Sequence, residues 1–130
     1  MINGKYLKIL QSSPQGLLTT FCEDGSKANV IIWYYVENNH LYIVTHKNSK
    51  KVHHLKKNNY ACLTVHYDNQ IYRFCGKTNF LTKDDPKYKK IAYHVWALHP
   101  TYYGPFEEVF STWLQTDIII DIEVEKITVK

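Results

Sequence analysis

Apolar residues recur at two different spacings along this chain. Between Asn3 and Ser13, Tyr6, Leu7 and Leu10 fall at helical spacing, with Asn3 placed to cap the turn and Pro14–Gly16 to stop it. From Gly16 the pattern changes to β-branched and aromatic runs, which predict strands at Leu17–Cys22, Lys27–Val36 and Leu41–Thr45. Turn signals at Glu23–Ser26 and Glu37–His40 separate them. Tyr60–Thr82 reads as a hairpin turning across Asp68–Gln70, with Gly76 marking a bulge or a close backbone approach. Helical spacing returns in Asp84–Pro100. Asp84 or Asp85 can cap that helix, Pro86 suits its first turn, Tyr88, Ile91, Ala92 and Val95 share one face, and Pro100 lies just beyond its end. Thr101–Thr116 has no regular period, and Asp117–Lys130 closes the chain as a strand. Six strands with hairpin connections and two or three short helices predict one mainly β domain, an antiparallel barrel closed or partly closed so that few edges stay exposed.

The stretch His46–Tyr60 breaks this pattern, because lysines and histidines crowd around two apolar positions, Val52 and Leu55. Ser49 is a suitable N-cap, so about two turns of helix are expected near Lys50–Asn58. Lys56 and Lys57 then agree with the helix dipole. Lys50 and Lys51 do not, since positive charge in a first turn costs a few tenths of a kcal/mol or more. A phosphate at that terminus reverses the sign, because backbone N–H groups, the Ser49 hydroxyl and two ammonium groups would converge on one anion. A solvated helix in a lysine-rich protein explains the same residues equally well. The adjacent His53 and His54 point to different faces, and no carboxylate or thiol stands near at metal-ligand spacing, so no metal is expected here.

Composition narrows the function classes. The 130 residues carry a formal charge of +4, and Arg73 is the single arginine among sixteen basic residues. Bidentate arginine recognition of bases is therefore nearly excluded, and exposed aromatics do not interleave with the lysines as a nucleic-acid track requires. No nucleic-acid partner is expected. The three cysteines, Cys22, Cys62 and Cys75, lack C-x-x-C spacing and sit in apolar runs, where free thiols pack as small hydrophobes. No leader pattern opens the sequence and no apolar run approaches the ~20 residues a bilayer needs, so a reduced cytoplasmic protein without membrane partners is expected. No Ser-His-Asp set or activated thiol stands out as a catalytic group.

The run from Glu23 to Val65, followed by Ile71–Thr82, resembles the pyridoxamine 5'-phosphate oxidase-like family of FMN-binding split barrels. The most specific part is Thr45, then Ser49, Lys50, Lys51 and Leu55 at the start of a helix that precedes a strand. The resemblance implies a six-stranded antiparallel split β-barrel, Greek-key-like, with two to three peripheral helices, and a single FMN-binding domain over residues 1–130. It also implies phosphate contacts from Val44, Thr45, Ser49, Lys50 and Lys51, and ring contacts from Val30, Ile31, Ile32, Trp33 and Tyr34. Family members are usually homodimers with flavin at the interface, which brings Gln70 or Ile71 toward the partner's cofactor. Flavin would then carry hydride to or from a small-molecule substrate, leaving no dedicated catalytic side chain to assign. Departures from the family concern the substrate. Lys50 replaces a common arginine, Asn29–Val30 lacks the strand arginine of true pyridoxamine-phosphate oxidases, and Ile31 stands where shorter members often carry proline. With Arg73 alone to hold a substrate phosphate, vitamin B6 oxidation is not expected. A deazaflavin-dependent reductase, a haem-handling split barrel and a non-catalytic flavin-binding stress protein remain as alternatives. Trp96, Tyr102, Tyr103 and Trp113 are available either as a planar lid or for packing.

Overall fold

The computed structural model describes residues 1–13 and 15–130. Its strands are β1 (Gly16–Phe21), β2 (Lys27–Ile32), β3 (Tyr35–Glu37), β4 (His40–His46), β5 (Tyr60–Tyr67), β6 (Gln70–Leu81) and β7 (Asp117–Val129). Its helices are α1 (Gly4–Ser12), α2 (Lys50–Lys57), α3 (Tyr88–Leu98), α4 (Pro100–Tyr103) and α5 (Phe106–Thr116). The strands form one sheet in the order β2-β1-β5-β6-β7-β4-β3, with the registered neighbours antiparallel. The two edge strands, β2 and β3, are separated in the chain only by Trp33 and Tyr34. That link spans at most roughly 11 Å between the Cα atoms of Ile32 and Tyr35. The sheet must therefore curl until its edges nearly meet, which makes a barrel split along the β2/β3 seam.

The count of seven strands corrects the expected six, because Lys27–Val36 is two strands. Tyr34 is responsible for the break. Its phenol is buried and donates to the carbonyls of Leu10 and Ser13 at 2.7 and 3.1 Å, tying the bend to the end of α1. Five helices replace the expected two or three. α5 lies in the segment without a predicted period, where only Phe110 and Trp113 are buried, although Glu107 and Glu108 in its first turn suit the helix dipole. α3 begins later than expected. Asp85 accepts from the Lys87 and Tyr88 amides at 2.9 and 3.0 Å, closing a turn around Pro86 before the helix starts, and Pro100 opens α4.

Two cores hold the barrel. Leu18, Leu63, Phe74, Ile120 and Ile122 fill its interior, closed by Leu10 of α1 and Leu55 of α2. Tyr42 and Ile119 face the other way and pack under Tyr88, Ile91 and Val95 of α3 and Phe110 and Trp113 of α5. Alternation along β4 separates the two sets, with Leu41 and Ile43 inside and Tyr42 outside. At about 1.5–3 kcal/mol per fully buried aliphatic side chain, this double-sided burial is the main stabilising term.

The expectation of three free thiols fails for two of them. Asp68 and Asn69, at φ 50° and 61°, form a two-residue turn with both central residues in the left-handed region, the geometry that matches strand twist. That turn sets Tyr67 opposite Gln70 and hence Cys62 opposite Cys75, where the pair is disulfide-bonded. Cys22 remains free. Register, which the sequence did not specify, decides the pairing.

Buried phenols predict the alkaline limit of the fold. Burial pushes Tyr42 and Tyr88 up to about 12 and raises Tyr34 further. Folded-state values above the unfolded value near 10 mean that these groups stabilise fully below pH 10, and their contribution is lost as pH rises through the folded values. The phenolate absorbance of these buried tyrosines should therefore form a late phase above pH 10 that appears together with loss of far-ultraviolet circular dichroism. A titration that completes without such a late phase would contradict the burial.

Candidate cofactor site

α2 follows directly from β4 through Lys47–Ser49 and caps one end of the barrel by burying Val52 and Leu55. Its first recorded backbone bond runs from the His53 amide to the Ser49 carbonyl at 3.1 Å, so earlier amides have no intrahelical acceptor. Ser49 occupies the N-cap with extended dihedrals, but its hydroxyl makes no capping bond. It instead accepts from the Thr45 hydroxyl at a long 3.5 Å. No acidic residue stands in this first turn. Burial holds the Lys51 ammonium below its ordinary pKa, an effect that Asp117 partly opposes. The result is a helix N-terminus carrying two lysines and a hydroxyl without a committed capping role.

Lys50 and Lys51 open onto a cleft of about 220 Å³ whose other walls are Thr20, His54 and Ala28–Val30 of β2. Further along the same strand, Ile31, Ile32 and Trp33 line a second cleft of about 340 Å³ with Gln15, Tyr102 and Tyr103. The two clefts follow one another along β2, whose residues advance about 3.3 Å each. Taken together as the candidate groove, the first cleft is cationic and the second is lined by apolar and aromatic side chains. Among the described residues β2 pairs only with β1, so its outer edge leaves backbone N–H and C=O groups without a strand partner. Val30 and Ile31 on this strand are 39% and 57% exposed.

The expected site residues divide between this groove and other places. Val30, Ile31, Ile32, Trp33, Lys50 and Lys51 line it, and Thr45 and Ser49 touch each other beside its cationic end. Tyr34 does not line it; it anchors α1 and borders a different cavity. Val44 packs toward the outer core, and Gln70 accepts from the Tyr72 hydroxyl at 2.7 Å at the remote β5–β6 turn beside Ile71. Within one chain, Gln70 and Ile71 line neither cleft. Of the four aromatic lid candidates, Tyr102 is 75% exposed and, with Tyr103, meets Trp33 edge-on at 4.8 and 5.6 Å. Trp96 donates to the Gly104 carbonyl at 2.6 Å, and Trp113 is buried in the outer core.

His54 is the residue whose role the sequence concealed. Its two ring nitrogens lie 3.1 Å from the Thr20 hydroxyl and 3.6 Å from the Cys22 sulfur, tying α2 to β1 at the cationic end of the groove. No local signal marks it, since its neighbour His53 has the same composition context and stays exposed. Among the described residues, no group of three or more His, Cys, Asp and Glu side chains is arranged to hold a metal ion. Among the described residues, too, no helix is long and apolar enough to cross a membrane.

The site is thus a cationic helix start beside the edge strand of a split antiparallel barrel. The pyridoxamine 5'-phosphate oxidase family profile matches residues 2–130, and the chain belongs to that family. A search of curated proteins found no match. Among solved structures, the conserved protein Rv2991 of Mycobacterium tuberculosis superposes with a TM-score of 0.82 at 18% identity, covering 99% of this chain and 84% of that one. An F420 reductase gives 0.74 at 17% identity, covering 97% and 98%. A pyridoxamine 5'-phosphate oxidase-related, FMN-binding protein of Nostoc punctiforme gives 0.64 at 14% identity, covering 95% and 78%. At these identities the likeness is one of fold.

Proposed function

We propose that this protein is a homodimeric, cytoplasmic FMN-binding oxidoreductase acting on a small molecule. The observation that carries the reading is the pair Lys50 and Lys51 in the first turn of α2, without an acidic neighbour in that turn, opening onto a groove that turns aromatic along β2. The α2 amides, the two ammonium groups and Ser49 would hold a terminal phosphate, with Thr45 supporting Ser49. Ile31, Ile32 and Trp33 would flank a planar ring, and the unpaired backbone of β2 would meet its polar edge. Bound flavin would supply hydride acceptance and donation. The chain's own part is to anchor, orient and shield.

Exposed apolar residues in two places support a dimer. Val30 and Ile31 on β2 and Ile71 on β6 are all more than a third exposed, and among the described residues the buried Nε of Arg73 has no hydrogen-bond partner. Gln70 and Ile71 would then act across the interface, which is why they lie apart from the groove in one subunit. A cytoplasmic location must accommodate the Cys62–Cys75 bond, which a reducing compartment disfavours. A non-reducing mass showing all three thiols free after isolation from the host cytoplasm would fit that location, and an intact bond would count against it.

The similarity to an F420 reductase favours a second reading, because a deazaflavin bearing a phosphate could occupy the same groove. The visible spectrum of the protein as purified, followed by titration with FMN, F420 and haem, separates the cases. FMN should bind stoichiometrically and be reduced by a nicotinamide donor. Preferential F420 binding or a Soret band would overturn the cofactor assignment, and tight FMN binding that no donor can reduce would overturn the enzyme assignment.

A further inference from the structure

Cys22, the free thiol, stands beside a base. It directly follows β1, and its backbone is fixed by two turn bonds: its amide donates to the Ser26 carbonyl at 2.8 Å, and its carbonyl accepts from the Gly25 amide at 3.0 Å. Its sulfur lies 3.6 Å from His54 Nε2. The other ring nitrogen, Nδ1, lies 3.1 Å from the hydroxyl of Thr20, a residue only 2% exposed. A nucleophile within reach of a base, with that base oriented in turn by a third group, is the arrangement that activates a thiol.

The hydrogen-bonding capacity of the set suits proton transfer. With a proton on Nδ1 donated to Thr20, the ring turns the Nε2 lone pair toward the thiol. Once Nε2 has taken the thiol proton, both ring N–H groups still have an acceptor, Thr20 Oγ1 on one side and the thiolate on the other. His54 also stands in the last turn of α2, where the helix dipole accommodates positive charge. Access is provided too. Cys22 and His54 open together onto a cleft of about 270 Å³, whose walls include Phe21, His53 and the Lys57–Glu23 ion pair at 3.1 Å. Cys62 and Cys75 are only 2% and 7% exposed and bonded to each other, so Cys22 is the sulfur that a solute can reach.

We propose that Cys22 is a modification site, S-thiolated by low-molecular-weight disulfides with His54 as the proton acceptor. The Cys22 proton passes to Nε2 as the thiolate attacks one sulfur of the disulfide. A bond forms between Cys22 Sγ and that sulfur, the disulfide's own S–S bond breaks, and the departing thiolate takes the proton from His54. One thiol and one disulfide give one mixed disulfide and one thiol, so no further oxidant is consumed. The site faces a separate cleft from the cofactor groove, although His54 borders both.

Glutathione disulfide is the probe, added to the flavin-free chain at pH 7 and followed by intact mass and peptide mapping. One glutathionyl group should appear per chain, on Cys22, and none on Cys22→Ser. His54→Asn keeps a polar group near the Nδ1 position and removes Nε2. It should slow the reaction about tenfold at pH 7, where an unassisted thiol is only a few per cent ionised. At pH 9.5 a free thiol ionises unaided, and the difference should shrink to about twofold or less. Loss of packing alone would expose the sulfur and speed the reaction at both pH values. Native Cys22 should also outpace a peptide of residues 18–26 by about tenfold at pH 7, a comparison that needs no variant. No adduct on Cys22, a native thiol no faster than the peptide, or His54→Asn reacting at the wild-type rate would overturn the proposal. A slowing undiminished at pH 9.5 would overturn the role of His54 as base. Because the chain carries no flavin, the result is independent of whether the groove takes FMN.

Discussion

If the proposed phosphate site holds FMN, replacing Lys50 and Lys51 together by alanine is expected to weaken FMN binding roughly 100-fold or more while leaving far-ultraviolet circular dichroism unchanged. A hydrogen bond to a charged group contributes about 1.5–3 kcal/mol, so two of them that add contribute about 3–6 kcal/mol, above the roughly 2.8 kcal/mol that a 100-fold loss requires. The fold does not suffer, because neither lysine appears among the ion pairs of the chain's described residues, and removing positive charge from a helix N-terminus relieves a small repulsion. Flavin fluorescence titration measures the first quantity and urea unfolding the second. Wild-type FMN affinity in the double variant would remove the phosphate site from α2. A large stability loss would instead show that the lysines hold the barrel end together.

Gly76→Ala is expected to cost about 3 kcal/mol or more of folding stability, at the upper end for an overpacked position. A Cβ built on Gly76 would stand 1.8 Å from the Glu123 carbonyl oxygen and 2.7 Å from its carbon. These are backbone atoms of the neighbouring strand and cannot rotate away. The contact arises where the β6–β7 register shifts between Cys75 and Gly76, so relief would require moving the longest strand pair of the sheet. In urea the midpoint should fall by roughly 1 M or more, taking a typical slope of 1–3 kcal/mol per molar. Gly4→Ala is the control, since a Cβ at Gly4 meets nothing within 4 Å and α1 favours alanine. An unchanged midpoint for Gly76→Ala would mean that β6 and β7 pair in another register.

Local periodicity carried much of the fold. The strands expected at Leu17–Cys22 and Leu41–Thr45 and the hairpin expected across Asp68–Gln70 appear as Gly16–Phe21, His40–His46 and a turn at Asp68 and Asn69, because each strand has one face on a core. Gly76 was legible as a close approach for the same local reason. α5 was not, since its burial comes from the outer face of β4 and β7, which no window of Thr101–Thr116 contains. The break at Trp33–Tyr34 was hidden likewise. It is imposed by a phenol reaching carbonyls more than twenty residues earlier in the chain.

The candidate site shows the same division. Lys50 and Lys51 were legible because their charge is wrong for their position on a helix, and that conflict is visible in a few residues. Their relation to Val30–Trp33 was known only through a family resemblance. The structure supplies the physical reason, which is that α2 caps the barrel end beside the edge strand β2.

By itself, then, the sequence determined the strands, the short cationic helix and the glycine at the bulge, all fixed by interactions within a turn or two of chain. Tertiary structure alone decided that β2 and β3 bound one seam, that His54 bridges Thr20 and Cys22, and that the ends of α1 and α3 enclose a cavity, while the hairpin register brought Cys62 to Cys75. Those features depend on strand register and on contacts between residues far apart in the chain, and a one-residue change in pairing would alter each of them without changing any local pattern.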